Sequence, residues 1–332
     1  MIRLQGSAVL RPALFFHAAA WLALLVAGPA VAQAPYPEKP IRLIIGFPSG
    51  AAPDTVSRLL GPHLANALGK PVLVDNVPGA AGNIASERLA KAAPDGHTLG
   101  LLVQGQLAIN PVLHAVGFDP VRDFAPVSQV VAQANVLVVH NEVPAKSIRE
   151  LVALAKSQPG TLTYASAGIG STSHLAAEVL GHMAGIEMRH VPYKAVVAAI
   201  PDVGSGRVTM MFAPTSTVMP LVRQGKLRAI AVTTLKPAPA FPELPALAES
   251  GFPGYEVTNW YGLLAPARTP PAIVRRLHQE TVKVLALPEV RTRLGELALD
   301  NIGSTPEEFA TVIRSELPKW GKLIRDMGIK AE

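Results

Sequence analysis

The chain has 332 residues, with 30 Lys and Arg against 24 Asp and Glu, and no cysteine. The basic excess is spread thin and forms no Lys/Arg block interleaved with aromatics, which argues against nucleic acid as a partner. Without cysteine there is no lipidated N-terminal Cys, no Cys nucleophile, no disulfide and no Cys-bound zinc or iron–sulfur centre. The first segment reads as a secretory signal: Arg3 and Arg11, an apolar run over Pro12–Ala27, then Ala30-Val31-Ala32, with the cut before Gln33. About 300 residues remain, enough for two domains, and no later segment is long and apolar enough to cross a bilayer.

From Ile41 strand-like and helical runs alternate. IRLIIGF (41–47) reads as a buried strand. Val56, Leu59, Leu60 and Leu64 put one apolar face on a helix over Thr55–Leu68, with Asp54 as its N-cap. VLVD (72–75) is a strand, and the loop Val77–Gly82 leads to a helix through Ala92. TLGLLV (98–103) and the long β-branched run 127–140 follow. Ser147-Ile148-Arg149-Glu150 is a capping box for a helix ending near Pro159. A strand ends at Tyr164–Ser166, and Leu175, Val179, Leu180 and Met183 mark the next helical face. VTMMFA (208–213) and LRAIAVT (227–233) are further strands, and Lys236–Pro245 is a proline-rich linker. After Trp260–Pro266 come two helices, one begun by Thr269 and Pro270, the other by Thr305, Pro306 and Glu308, with Pro318 expected to kink the second. This alternation predicts an α/β fold with parallel sheets and helices on both faces.

Three strand ends open into glycine-bearing loops that start helices: Gly46–Asp54, Asn76–Asn83 and Ser166–Ser173. Backbone N–H groups and the positive end of the helix dipole meet in such loops, which suits a small anion. In the first, Ser49 offers a hydroxyl and Gly50 frees the backbone. In the third, the hydroxyls of Ser166, Ser171, Thr172 and Ser173 either bond a ligand carboxylate or are spent on the N-cap. Gly168 and Gly170 open a dinucleotide-like fingerprint that lacks its third glycine. His174 and His182 are too far apart on one helix to share a metal, and His174 reads as a packing or capping residue. Ser166 with His174 or His190 makes a conceivable nucleophile pair, but no G-x-S-x-G elbow is present.

Several blocks, in order, resemble one family along nearly the whole mature length. They are YPEKPIRLIIGFPSG (36–50), DNVPGAAGNIA (75–85), YASAGIGSTSHLAAE (164–178), HVPYK (190–194), GKLRAIAVTT (225–234), ESGFPGYEVTNWYGLLAPARTP (249–270) and a terminal helix with Trp320. The chain is similar to the Bug family, the periplasmic receptors of tripartite tricarboxylate transporters. The resemblance implies a type II periplasmic-binding-protein fold, two α/β domains around a ligand cleft joined by two crossing strands. Domain I is then 33–133 plus 258–332, and domain II is 134–257.

The resemblance further implies a non-enzymatic receptor, without cofactor or metal, acting as a periplasmic monomer. It would capture a small organic acid and deliver it to integral-membrane transporter subunits or to a sensor kinase. The site carried over comprises Phe47, Pro48, Ser49, Gly50, Ala51 and Ala52 of the first loop. It continues with Gln104, Gly105 and Gln106 after the third strand, then Ser166, Gly168, Gly170, Ser171, Thr172 and Tyr193. The alternative is an exported hydrolase on a two-domain α/β scaffold using Ser166. The chain departs from the family where glycines usually stand, at Ala51-Ala52-Pro53 and at Ala195-Val196-Val197. It also departs where the family favours aspartate, at Thr209 and near Ala213.

Overall fold

The computed structural model describes Ile2, residues 36–238 and residues 241–330. Apart from Ile2, the expected signal segment lies outside the described residues. The chain runs β1 (Ile41–Ile45), α1 (Ala52–Leu68), β2 (Val72–Asn76), α2 (Asn83–Ala90) and β3 (Thr98–Val103). A π-helical turn over Gly105–Ile109 then leads into α3 (Asn110–Leu113). Next come β4 (Phe124–Val139), α4 (Ile148–Ser157), β5 (Thr163–Ser166), α5 (Thr172–Ala184), β6 (Arg189–Pro192) and α6 (Val196–Gly204). The chain closes with β7 (Met210–Pro214), α7 (Thr215–Arg223), β8 (Arg228–Val232), β9 (Thr258–Pro266), α8 (Pro271–Ala286), α9 (Pro288–Glu296), β10 (Asp300–Asn301) and α10 (Pro306–Asp326). No helix among the described residues is long and apolar enough to cross a membrane.

The strands lie in the order β2-β1-β3-β9-β4-β7-β5-β6, with β8 and β10 also paired to β4. β4 changes partners midway. Its residues up to Ala134 pair with β9, and from Asn135 onward it pairs with β7 and β8. Two half-sheets therefore share one strand. β1 is parallel to β2 and β3, and β9 is antiparallel to both β3 and β4, so β3 and β4 run the same way. β7 runs against β4, and β5 and β6 run with β7. The carboxyl ends of β1–β3 and of β5–β7 thus both point at the place where β4 crosses over.

β1 is apolar on both faces except at Arg42, which pairs with Asp75 of β2, as suits a strand covered by helices on each side. α1 buries Val56, Leu60, Leu64 and Leu68 and ends on Gly69 in the left-handed region, whose N–H bonds Ala65 O. The first half buries Leu102, Phe124, Trp260, Phe309 and Ile313 together. The second buries Leu137, Tyr164, Leu175, Met210 and Phe212. Helix α10 serves both halves. Thr305 and Glu308 close a capping box at its start, Phe309 and Ile313 enter the first core, and Trp320 and Ile324 enter the second.

Gly262 on β9 makes room for Phe309. A Cβ there would sit 1.9 Å from the ring Cζ, while the ring meets Trp260 edge-on at 5.4 Å. Gly262→Ala is expected to cost about 1–3 kcal/mol through overpacking, and Phe309→Leu in the same chain should return part of it. Urea unfolding of the single and double variants checks this. Strict additivity of the two losses would show that the ring does not compete for that space.

Several boundaries differ from the sequence expectation. α1 starts at Ala52, because a proline is tolerated in a first turn whose N–H groups lack partners anyway. Asp54 is therefore inside the helix, not its N-cap. Leu59 is half-buried rather than on the core face, and Met183 is 40% exposed. The helix after Pro266 is capped by Pro270 without a side-chain bond, so Thr269 does not start it. α10 runs through Pro318 as one element. Thr209 lies before β7 and bonds Thr163 at the start of β5, at the opposite end of those strands from the crossing point.

Candidate functional site

Six loops leave the carboxyl ends of β1, β2, β3, β5, β6 and β7. In open α/β sheets, ligands bind in crevices beyond such ends.

The first loop is organised by Asp54, which is 2% exposed. Its carboxylate accepts from Gly50 N–H at 2.8 Å, from Arg58 Nε at 3.0 Å and from Asn76 Nδ2 at 2.9 Å. Asn76 Nδ2 also donates to Phe47 O, and Ala51 N–H bonds Pro48 O. Burial pushes the Asp54 carboxyl up, but Arg58, the Gly50 amide and Asn76 outweigh it and hold it at about 2. Asp54 is thus charged, neutralised and turned into the loop. Pro48, Ser49 and Gly50 are exposed, and Ala51 and Ala52 are half-buried. Ala52 N–H, in the first turn of α1, has no partner among the described residues.

The second loop carries four consecutive positive φ angles, at Gly79 (133°), Ala80 (47°), Ala81 (53°) and Gly82 (91°). The two alanines hold a conformation that costs of order 1–3 kcal/mol each. Only glycine fits at 82, since a Cβ would lie 2.8 Å from Gln106 Cδ. Gln106 is fully buried and ties the loops together. Its Nε2 donates to Gly82 O at 2.8 Å and to Ser86 Oγ at 2.9 Å, while its Oε1 accepts from Val103 N–H. Gln104 turns to α10 instead: its Nε2 donates to Glu316 at 2.5 Å. Glu316 also accepts from Trp320 Nε1 at 2.7 Å and pairs with Lys319. Gln104 Oε1 is buried without a hydrogen-bond partner.

In the fourth loop most hydroxyls are used internally. Ser171 Oγ caps α5 by accepting from His174 N–H at 3.2 Å, and it donates to Gly168 O at 2.6 Å. Ser173 Oγ accepts from Ala167 N–H. Ser166 Oγ accepts from Gly168 N–H at 3.0 Å and lies 2.6 Å from His190 Nε2. Thr172 differs. It is half-buried at the first position of α5, and its hydroxyl and N–H have no partner among the described residues. Behind the loop, His174 accepts from Gly170 N–H and packs against His190 at 4.5 Å. Burial, and then the neighbouring His190, push His174 down to about 4. It is the packing residue the sequence indicated.

Tyr193, after β6, donates its hydroxyl to Asp202 at 2.6 Å, and its N–H bonds Ser166 O. The hydrogen bond to Asp202 raises the phenol above its ordinary value. Loops of the two halves approach each other. A Cβ on Gly170 would lie 2.7 Å from Leu113 Cδ1 of α3, and Ser216 Oγ at the start of α7 donates to Gln133 on β4. Two surface cavities lie elsewhere on the second half, about 480 Å³ beside His140 and Lys226 and about 830 Å³ beside Glu178 and Arg189.

Sequence reasoning passed over Asn76 and Gln133, whereas the pairing of Ser166 with His190 that it raised is present as a hydrogen bond. Asn76 stands in the block 75–85, but neither its spacing nor its type announces a contact across strands. Ser166, the hydrolase candidate, is fully buried, and its Oγ is engaged by Gly168 N–H and His190 Nε2.

A family model described as the tripartite tricarboxylate transporter family receptor matches residues 56–329. A Pseudomonas sp. (strain P51) protein, "UPF0065 protein in tcbD-tcbE intergenic region", is 36% identical over 89% of this chain and 88% of its own. Two solved structures are similar throughout. "R. palustris Rpa4515 with adipate" is 33% identical with a TM-score of 0.81, covering 89% of this chain and 99% of its own. The periplasmic binding protein BugD is 31% identical with a TM-score of 0.79, covering 90% and 100%. The fold is the two-halved α/β binding-protein architecture that these structures share.

Proposed function

Since the chain belongs to the receptor family of the tripartite tricarboxylate transporters, we propose that it captures a small organic acid where the six loops converge. It hands that acid to integral-membrane transporter subunits, or reports it to a sensor kinase. The observation that carries this reading is the crossing of β4, which aims the carboxyl ends of strands from both half-sheets at one place. The adipate bound to the R. palustris relative supports the ligand class.

We place domain boundaries at 133/134, where β4 crosses between the halves, and at 257/258, where the chain returns to the first half to begin β9, and the mature chain in the periplasm as a monomer. The ligand carboxylate sits at the start of α5, against the Thr172 hydroxyl and the free amides of Thr172 and Ser173. The backbone of Phe47–Ala52 and of Gln104–Gln106 faces it from the first half. Gln106, Ser171 and Tyr193 act by bracing these loops, since their polar groups are bonded within the protein. Binding needs no catalytic group, no cofactor and no metal.

Thr172→Ala and Ser171→Ala are expected to separate affinity from stability. Thr172→Ala removes a donor to a charged group, worth roughly 1.5–3 kcal/mol, so adipate affinity should fall about tenfold or more with little change in unfolding. Ser171→Ala removes the cap and should cost about 1 kcal/mol of stability. Calorimetric titration with adipate, paired with urea unfolding, reads both. A Thr172→Ala protein that binds adipate as tightly as the parent would take the carboxylate away from α5.

A further inference from the structure

We infer that the acid this receptor prefers carries a hydroxyl beside a carboxylate, and that Asn259, at the crossing of the two halves, reads that pair. The inference rests on the receptor reading above and concerns the same site. Strand pairing places the residue. Asn259 on β9 stands directly opposite Gln133 on β4, so the two share a face of the sheet. Asn135, two residues beyond Gln133, lies on that face as well. It is the face that α5 covers, since Leu137 and Val139, next in the same alternation, are buried in one cluster with Leu175 and Val179 of that helix. Loops of both halves adjoin it. Asn135 pairs with Pro214, where the sixth loop leaves β7, and Ser216 of that loop donates to Gln133. From the first half, β3 ends at Val103 opposite Tyr261, so the third loop leaves the sheet beside Asn259. A Cβ on Gly105 of that loop would meet nothing within 4 Å, so the space there is open.

The three amides on this face differ in what they bond. Gln133 is bonded at both ends: its Nε2 donates to the Tyr261 hydroxyl at 2.6 Å, and its Oε1 accepts from Ser216 Oγ at 3.3 Å. Asn135 is fully buried, with Nδ2 directed at Val257 O and an Oδ1 that accepts from nothing. Asn259 is half-buried. Its Oδ1 is buried without a partner, and its side chain makes no hydrogen bond among the described residues. A polar group left unpaired at such a place is costly, and a ligand that pairs it recovers the cost. A carboxamide presents one acceptor and one donor side by side. A plain carboxylate has only acceptors to offer it, and its charge is repelled by the carbonyl dipole. An ammonium would be desolvated against neutral amides, which supply no counter-charge. A 2-hydroxy acid matches both atoms: its hydroxyl donates to Oδ1 while the neighbouring carboxylate oxygen accepts from Nδ2.

The test is calorimetric titration of the full-length protein with matched acids that differ by one hydroxyl: succinate and malate, glutarate and 2-hydroxyglutarate, butyrate and 2-hydroxybutyrate. Aspartate is added as the amino counterpart of malate. In the pair that binds most tightly, the hydroxylated acid is expected to bind roughly tenfold tighter or more, because the plain acid leaves the amide unpaired. Asn259→Leu and Asn259→Ala should each close most of that gap while the plain acid binds as it does to the parent. Neither removes a hydrogen bond within the protein, so urea unfolding should change little. A merely structural role would weaken both members of a pair alike and keep the gap. Equal affinities within every pair, a gap that survives in both variants, or aspartate bound more tightly than malate would overturn this inference and leave the receptor reading standing. Heat from none of the acids would overturn both.

Discussion

Replacing Trp320 with alanine is expected to cost about 3–5 kcal/mol of folding stability. The indole is fully buried in the core of the second half, yet it is carried by a helix whose first turns are rooted in the first half through Phe309 and Ile313. The loss has two parts. One is the volume of the ring among Leu137, Tyr164 and their neighbours. The other is the Nε1 hydrogen bond to Glu316, at 2.7 Å, which helps hold a carboxylate that also binds Gln104 and Lys319. Trp320→Phe keeps most of the packing and drops only the bond, so it should cost less than half as much. Urea unfolding of both variants checks the split. A Trp320→Ala protein that unfolds at the parent's midpoint would mean that the second part of α10 contributes nothing to the core.

Acid should weaken the fold through His174. Its ring is 5% exposed, packed at 4.5 Å from His190 and 6.3 Å from Tyr164, with Gly170 N–H directed at its Nδ1. Tyr164 in turn donates to Glu178, so no carboxylate is free to partner a protonated His174 from that side. The folded value is about 4 against 6.5 for an unburied histidine. Above pH 6.5 the ring is neutral in both states and stability is unaffected. Between 6.5 and 4 only the unfolded chain takes up the proton, so stability falls as pH falls, by about 2.5 kcal/mol at pH 4.5. His174→Asn keeps an acceptor for Gly170 and cannot titrate. Its stability should therefore decline less between pH 7 and pH 4.5 than the parent's. Equal slopes in unfolding experiments across that range would assign the acid sensitivity to other groups.

Alternation of strands and helices was legible because β1 apart from Arg42, β3 and β7 are apolar runs and α4 and α10 carry side-chain caps. Several elements escaped, α3, β6, α6, α7, α9 and β10 among them. α6 and α7 each hold a proline inside nine residues, Pro201 and Pro220, which reads as a break. β6 is four residues with little burial, and α9 follows α8 after Leu287 alone, so their boundary is hidden in one helical stretch. At the site, residue types identified the loops but not the direction of their side chains. A glycine-rich turn announces free amides, yet Gly50 N–H is already taken by Asp54, three places into the helix. Ser171 and Thr172 are adjacent hydroxyls of the same kind, and only the cap geometry assigns one to the helix and leaves the other unbonded.

The return of β9 also dictates an order of assembly. Tyr261 sits opposite Val103, about 160 residues further along, and closing a loop of that length costs about 2.5 kcal/mol more than a ten-residue turn. In the second half, β4 meets β7 and β8, and β5 meets β6, all before residue 233. The sheet of that half can pair early, ahead of Trp320 and Ile324, which complete its core, while β3 keeps an open edge until the last quarter of the chain arrives. The amino-terminal part thus completes its sheet last, which keeps it extensible for as long as the rest of the chain is still being delivered.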